Sequence, residues 1–346
     1  VRAFVLTEPH EVALREWPEP SVGVDEVLVS PVLVGVCGTD LELIDATIDQ
    51  AYVRYPLVLG HEWVGRLTQD YADVAPAGTA VVVEGVVPCG HCGPCQRGDT
   101  NLCENYDEIG FTRAGAIAQY VSVPRALVHV IRGDVELDDA VLVEPMAVVW
   151  RALTRLPLRR GLRVAVIGDG TIALLAAHLV RLFEPVRTTV IGRRPEQRDL
   201  AFAAGAQDFE VSTPSAVFDL VIEASGSIDG VASALQLAAR GAMVILLGLT
   251  PHGTHVEVAP DDLVNNDVIV QGSFSYTGDA FAQVVARVNA GELRPSFLIT
   301  HRFGLEHASE AIDALRAGVS GEPRGKVVIE VTRDERGGVG GSRGRR

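Results

Sequence analysis

Four cysteines crowd into one short stretch: Cys89-Gly-His-Cys92-Gly-Pro-Cys95, seven further residues, then Cys103. Thiolates at this spacing can close a tetrahedron around one zinc ion at ~2.3 Å per bond and leave no position open, so the site they predict is structural. Gly90, Gly93 and Pro94 supply the tight turns such a loop needs. The competing arrangement is a disulfide pair or buried free thiols. Five cysteines in all, an odd number with four clustered, favour metal ligation in a reducing compartment. His91 lies inside the cluster, but four sulfurs already saturate the ion, and it is expected as a solvated loop residue.

The fifth cysteine stands in Gly35-Val-Cys37-Gly-Thr39-Asp40, followed downstream by Leu59-Gly60-His61-Glu62 and Glu144-Pro145. A thiolate, an imidazole and carboxylates are the ligand types of a catalytic zinc, which keeps one coordination position for substrate. Taken alone, a cysteine such as Cys37 more often packs in a core, and His61 is more often a satisfied structural residue. Spacing does not show that these stretches meet. A third motif, Val164-Ala-Val-Ile-Gly168-Asp-Gly170-Thr171-Ile172-Ala173, reads as a strand entering Gly-x-Gly-x-x-Ala and then an apolar helix. Gly168 permits the turn and Gly170 lets backbone approach a pyrophosphate. Thr171 and Ile172 open a helix whose unpaired N–H groups face phosphate.

Elements that could position these groups follow from hydrophobic pattern. Val27–Leu33, Ala80–Val87 and Ala118–Val123 are β-branched runs bounded by turn residues, which predicts short strands. From about residue 145 apolar strands (164–167, 188–191, 218–223, 243–247) alternate with helices starting at Thr171, Pro195 and Ile228, the pattern of a doubly wound parallel sheet. One helix over 307–317 and one strand over 326–331 follow. Residues 333–346, rich in Gly and Arg, are expected to be a disordered tail. The 346 residues carry 30 basic and 45 acidic side chains, a net charge of −15, which argues against nucleic-acid and anionic-membrane partners. The start reaches Glu8 and Pro9 before any long apolar run, and no stretch approaches the ~18 apolar residues of a span. A cytoplasmic protein is expected.

In this order along the chain, Cys37-Gly-Thr-Asp40, Gly60-His-Glu62, the four-cysteine lobe, Glu144-Pro145 and the glycine turn make the sequence resemble the zinc-dependent medium-chain dehydrogenase/reductases, which include alcohol, sorbitol and threonine dehydrogenases. The segment Glu108–Gly115, with Ala118–Pro124 after it, looks closest to polyol- and cyclitol-type members, including those acting on aminocyclitols. The resemblance implies an α/β chain: a GroES-like β-rich catalytic domain (1–147, completed by 290–332) around a Rossmann doubly wound sheet (148–289). It implies that Cys37, His61 and Glu144 bind or approach a catalytic zinc, with Glu62 as a further, exchangeable ligand. Thr39 would pass on the substrate proton and Asp40 orient His61, as a carboxylate behind a metal-bound histidine does. The family's usual relay histidine is missing from Asp40-Leu-Glu42-Leu, so Glu42 or water would end the relay.

For the cofactor, the acid that grips the ribose of NAD is expected some ~20 residues beyond the glycines. Gly192 stands there instead, followed by Arg193 and Arg194. Guanidinium can pair with a 2′-phosphate, which predicts NADP over NAD; the bland reading is two solvated arginines ahead of a helix. By resemblance, Ser225, Leu247, Leu249, Ser273 and Phe274 border the adenosine and nicotinamide, and Lys326 reaches the pyrophosphate. The expected protein is a zinc-dependent NAD(P)-linked oxidoreductase, two zinc ions per chain, that converts a secondary alcohol to a ketone by hydride transfer and assembles as a dimer or tetramer. The alternatives are a zinc-independent quinone or enone reductase and a non-catalytic dinucleotide-binding protein.

Overall fold

The computed structural model describes residues 1–317 and 321–332; the tail expected over 333–346 lies outside the described residues. Eight strands fill the first 130 residues: β1 (Arg2–Glu8), β2 (Glu11–Glu16), β3 (Glu26–Val36), β4 (Leu57–Val58), β5 (Glu62–Leu67), β6 (Ala80–Val83), β7 (Val121–Pro124) and β8 (Val128–Val130). Two short helices interrupt them, α1 (Gly38–Ile44) and α2 (Gly93–Gln96). Strand β3 alternates buried and half-buried residues at its start and is wholly buried from Pro31 onward. That change fits a strand with one wet face that then runs under cover on both sides.

The strands expected from Ala80 and from Ala118 are shorter than the sequence pattern predicts, each because a ladder donor goes elsewhere. The run from Ala80 stops at Val83, and the Gly85 N–H is donated to the Tyr276 hydroxyl (2.8 Å). The run from Ala118 starts as strand only at Val121, because Ala118 bridges Ala3 and the Gln119 N–H bonds the Arg2 carbonyl (3.1 Å).

Helices α3 (Leu137–Ala140) and α4 (Val143–Thr154) lead into the alternating region. There follow β9 (Arg163–Ile167), α5 (Thr171–Val180), β10 (Arg187–Ile191), α6 (Arg198–Ala204), β11 (Asp208–Glu210), β12 (Phe218–Glu223), α7 (Ile228–Gln236), β13 (Ala238–Leu246), α8 (Pro260–Asn266), β14 (Ile269–Gly272) and α9 (Gly278–Asn289). The six strands pair in parallel in the order β11-β10-β9-β12-β13-β14. Strand order reverses between β9 and β12, and a crevice opens at their carboxyl ends where ligands bind in such sheets. Gly168 turns the chain there at φ +118°, and a Cβ at this point would lie 2.9 Å from the Ala224 carbonyl oxygen. The adjoining core buries Val164, Val166, Leu174, Leu175, Leu220 and Ile245 together with Met146, Val149 and Trp150 of α4.

The chain then returns through β15 (Ile299–Gly304), α10 (Ala308–Ala317) and β16 (Lys326–Glu330). Strand β16 lies antiparallel to β3, with Val327 opposite Val36, and completes the sheet order β15-β16-β3-β5-β6-β8. Among the described residues no helix is long and apolar enough to cross a membrane.

Candidate active site

Strands β16, β3 and β5 are neighbours, so their adjacent ends deliver Lys326, Gly35–Cys37 and Glu62 to one point. Cys37 leaves β3 as the N-cap of α1, and its N–H is donated to Asp40 Oδ2 (2.8 Å). The second Asp40 oxygen faces His61 Nδ1 at 3.6 Å; both side chains are buried. Thr39 Oγ1 stands 3.7 Å from Cys37 Sγ. The ligand atoms of Cys37, His61 and Glu62 all lie within 4.8 Å of one another. Glu144, in the first turn of α4, is outside this close triad but adjoins it. Burial, then the nearby charge of Glu62, pushes its carboxyl up to about 8. Burial opposes charge on His61, yet the Asp40 carboxylate and the Cys37 thiol hold its pKa well above the ordinary histidine range.

This donor set suits a divalent cation. Thiol, imidazole and carboxylates meet here with Lys326 buried among them, and a bound zinc would relieve the mutual repulsion of the negative groups. Lys326 is buried, and its ammonium pairs with Glu62 where β16 abuts β3. Gly35 makes room for that pair: a Cβ there would sit 2.6 Å from both Glu62 Oε2 and Lys326 Cε.

The four-cysteine lobe is separate and local. Its sulfurs also lie within 4.8 Å of one another, near the ~3.8 Å edge of a tetrahedron with ~2.3 Å bonds. The Cys89 N–H points to Cys103 Sγ (3.3 Å) and the Cys92 N–H to Cys89 Sγ (3.4 Å). Desolvation and the neighbouring sulfurs push Cys95 up to about 12, a crowding that a divalent cation would remove. His91 is exposed, with Nδ1 2.8 Å from the Cys89 carbonyl. The lobe leans on the nucleotide fold: Asn101 Nδ2 donates to the Phe274 carbonyl (2.7 Å), and the Gly278 N–H to Thr100 Oγ1 (3.2 Å).

Around the crevice, Gly170 caps α5 and Thr171 Oγ1 donates to the Gly325 carbonyl (2.9 Å). Ile172 is half-buried beside them. Ser225 follows β12, its N–H held by Glu223 (2.8 Å). Leu247 is half-buried, Leu249 and Phe274 are exposed, and Ser273 Oγ accepts a hydrogen bond from Arg151 (3.3 Å). Gly192 is buried at the end of β10; Arg193 is exposed, and Arg194 is tied to Asp169 (2.7 Å). Sequence reasoning passed over Asp169 although it lies inside the glycine motif. It also left Glu108 without a role: this carboxyl takes a hydrogen bond from the Tyr106 hydroxyl and is held up by burial close to His61.

Comparison with known proteins agrees with this geometry. Residues 23–133 match the family described as alcohol dehydrogenase GroES-like domain, and residues 137–321 the family described as glucose dehydrogenase C-terminus. An L-threonine 3-dehydrogenase of Streptomyces avermitilis is 30% identical over 92% of this chain and 96% of its own. The chain belongs to the zinc-dependent medium-chain dehydrogenase/reductases. A sorbitol dehydrogenase of Bacillus subtilis is 26% identical over 90% of this chain and 93% of its own. Among solved structures, a protein described as a zinc-binding dehydrogenase from Sinorhizobium meliloti, bound to NADP, superposes with a TM-score of 0.89 at 28% identity, covering 95% of this chain and 99% of that one. An alcohol dehydrogenase of Escherichia coli complexed with NADH gives 0.87 at 25% identity, covering 95% and 99%. This medium-chain dehydrogenase is thus a zinc-dependent, NAD(P)-linked alcohol dehydrogenase, and its GroES-like and Rossmann-type parts are those the resemblance implied.

Proposed function

We propose that the enzyme interconverts a secondary alcohol of polyol, sugar or aminocyclitol type and its ketone, with NADP favoured over NAD. The observation that carries this reading is the convergence of Cys37, His61 and Glu62, from distant stretches, at the end of β3. Cys37 and His61, with Glu62 or Glu144, would hold a catalytic zinc, and Cys89, Cys92, Cys95 and Cys103 a structural one. When bound, the catalytic ion supplies Lewis-acid polarisation of the substrate oxygen.

The chain's own groups divide the remaining work. Asp40 fixes the orientation of His61 and anchors the Cys37 backbone. Thr39, beside the thiol, takes the hydroxyl proton onward. Glu42, on the same short helix and held above the usual carboxyl range by burial, or water, receives it. A dinucleotide held over the glycine turn at the ends of β9 and β12 would supply the hydride acceptor. In this reading residues 1–147 and 290–332 form the catalytic domain around 148–289.

Exposed Val264 of α8, with Ile269 and Val270 on the outer strand β14, supports pairing of copies through that sheet edge. The deciding experiment is a spectrophotometric panel of polyols, sugars and aminocyclitols with NADP and with NAD. Zinc-dependent turnover on polyhydric secondary alcohols is expected. Activity that survives metal stripping, or none on any alcohol, defeats the proposal.

A further inference from the structure

The end of β10 is built unlike a usual ribose clamp. A Cβ on Gly192 would stand 2.7 Å from Asp169 Cβ, 2.8 Å from Asp169 Oδ2 and 2.9 Å from Phe209 Cζ. Asp169, from the glycine turn, therefore occupies the space into which a side chain at 192 would grow. An acid is present at the corner after all, supplied by a different segment.

That acid has no acceptor capacity left. Asp169 Oδ2 takes the N–H groups of Arg193 (2.8 Å) and Arg194 (2.9 Å), while Oδ1 takes Arg194 Nε (3.1 Å) and Nη2 (2.7 Å). A carboxylate offers about four acceptor sites, and the chain fills them itself, so a ribose hydroxyl has none to bond. The cations are not exhausted. Among the described residues Arg193's guanidinium has no partner, and Arg194 keeps Nη1 free.

A third arginine arrives from the return segment. Gln197 Nε2 donates to the carbonyls of Asp169 (2.5 Å) and Arg324 (2.8 Å), and Gln197 Oε1 accepts the Arg324 N–H (2.7 Å). Arg324 is thereby fixed beside the glycine turn. Its Nη1 is used on the carbonyls of Ala314 and Leu315, and among the described residues Nε and Nη2 have no partner. Burial and the charge of Arg194 both pull the Arg324 pKa down, as expected for guanidinium groups gathered at one corner.

We propose that Arg193, Arg194 and Arg324 bind the adenosine 2′-phosphate of NADP from both sides of the crevice, and that Asp169 is the positioning residue that aims Arg194 and bars an acid at 192. This rests on the reading of the chain as an NADP-preferring dehydrogenase. Three guanidinium groups against one saturated carboxylate leave a net positive corner, and planar N–H forks match phosphate oxygens.

Isothermal titration of the full chain with 2′,5′-ADP and with 5′-ADP tests the proposal without turnover. Wild type should bind 2′,5′-ADP about 10-fold or more tighter than 5′-ADP. Arg324→Ala should weaken 2′,5′-ADP about 5- to 10-fold and leave 5′-ADP within about 2-fold. Asp169→Ala should bring the two affinities close to equal. Should that variant lose both nucleotides, Arg324→Ala alone decides. A wild type that binds 5′-ADP as well as 2′,5′-ADP overturns the cofactor reading and this inference together. A clear wild-type preference that Arg324→Ala does not reduce overturns this inference and leaves the cofactor reading standing.

Discussion

The two thiol sites of this chain are opposites in construction. The lobe draws all four sulfurs from residues 89–103, near the surface, and closes them by turns and backbone N–H groups pointing at sulfur. The candidate catalytic cluster takes a thiol from one stretch and an imidazole and a carboxylate from another, which the pairing of β3 with β5 brings together, and sets them among buried charges that include Lys326 of β16. A locally encoded site survives changes elsewhere in the fold; a site assembled by sheet register inherits every error in that register. The first is suited to holding a loop, the second to tuning the charge around a reacting atom.

The sharpest way to break this contrast is Cys37→Ala. Turnover should fall by at least about 10³-fold while dinucleotide binding, followed by fluorescence titration, stays within about 2-fold. An active variant with one zinc per chain would mean that the assembled cluster is not the reacting centre. Gly35→Ala is the next largest. The added methyl meets Glu62 and Lys326 at 2.6 Å, so kcat should drop about 10- to 100-fold with cofactor KM little changed. Unaltered kcat would show that the register around Cys37 is slack.

Cys92→Ser addresses the lobe. Zinc content should fall from two per chain to one and Tm by about 10 °C, with a residual kcat measurable at low temperature. Complete loss of activity in a folded, singly loaded variant would erase the division of labour. The smallest effect concerns pH. In chelator-treated protein Glu144 keeps its proton up to about 8, whereas an ordinary glutamate releases it near 4.5. Between those values the native state binds more protons than the unfolded chain, so stability should decline as pH rises from 4.5 to 8. Glu144→Gln should flatten that decline in Tm against pH. An equal slope in both proteins would place the buried charge elsewhere.

The same contrast explains what could be read from sequence. Cysteine spacing states the lobe outright, and the strand–glycine–helix pattern states the β9–α5 turn, because both are local. That Cys37 and His61 meet needed the resemblance, since nothing local encodes which strands pair. The ion pair of Lys326 with Glu62 is illegible for the same reason: it follows from β16 lying beside β3, a contact between residues 264 positions apart in sequence. Asp169 went unseen because a motif read by its glycines gives no meaning to the residue between them.

The hydrogen bonds that Asn101 donates to Phe274 and Thr100 accepts from Gly278 give the lobe a reach beyond its own loop. A zinc ion in the lobe, which would never meet the substrate, would thereby be braced against the segment proposed to border the nucleotide groove. Loosening that brace should widen the groove and weaken cofactor retention before it touches the bond-making step.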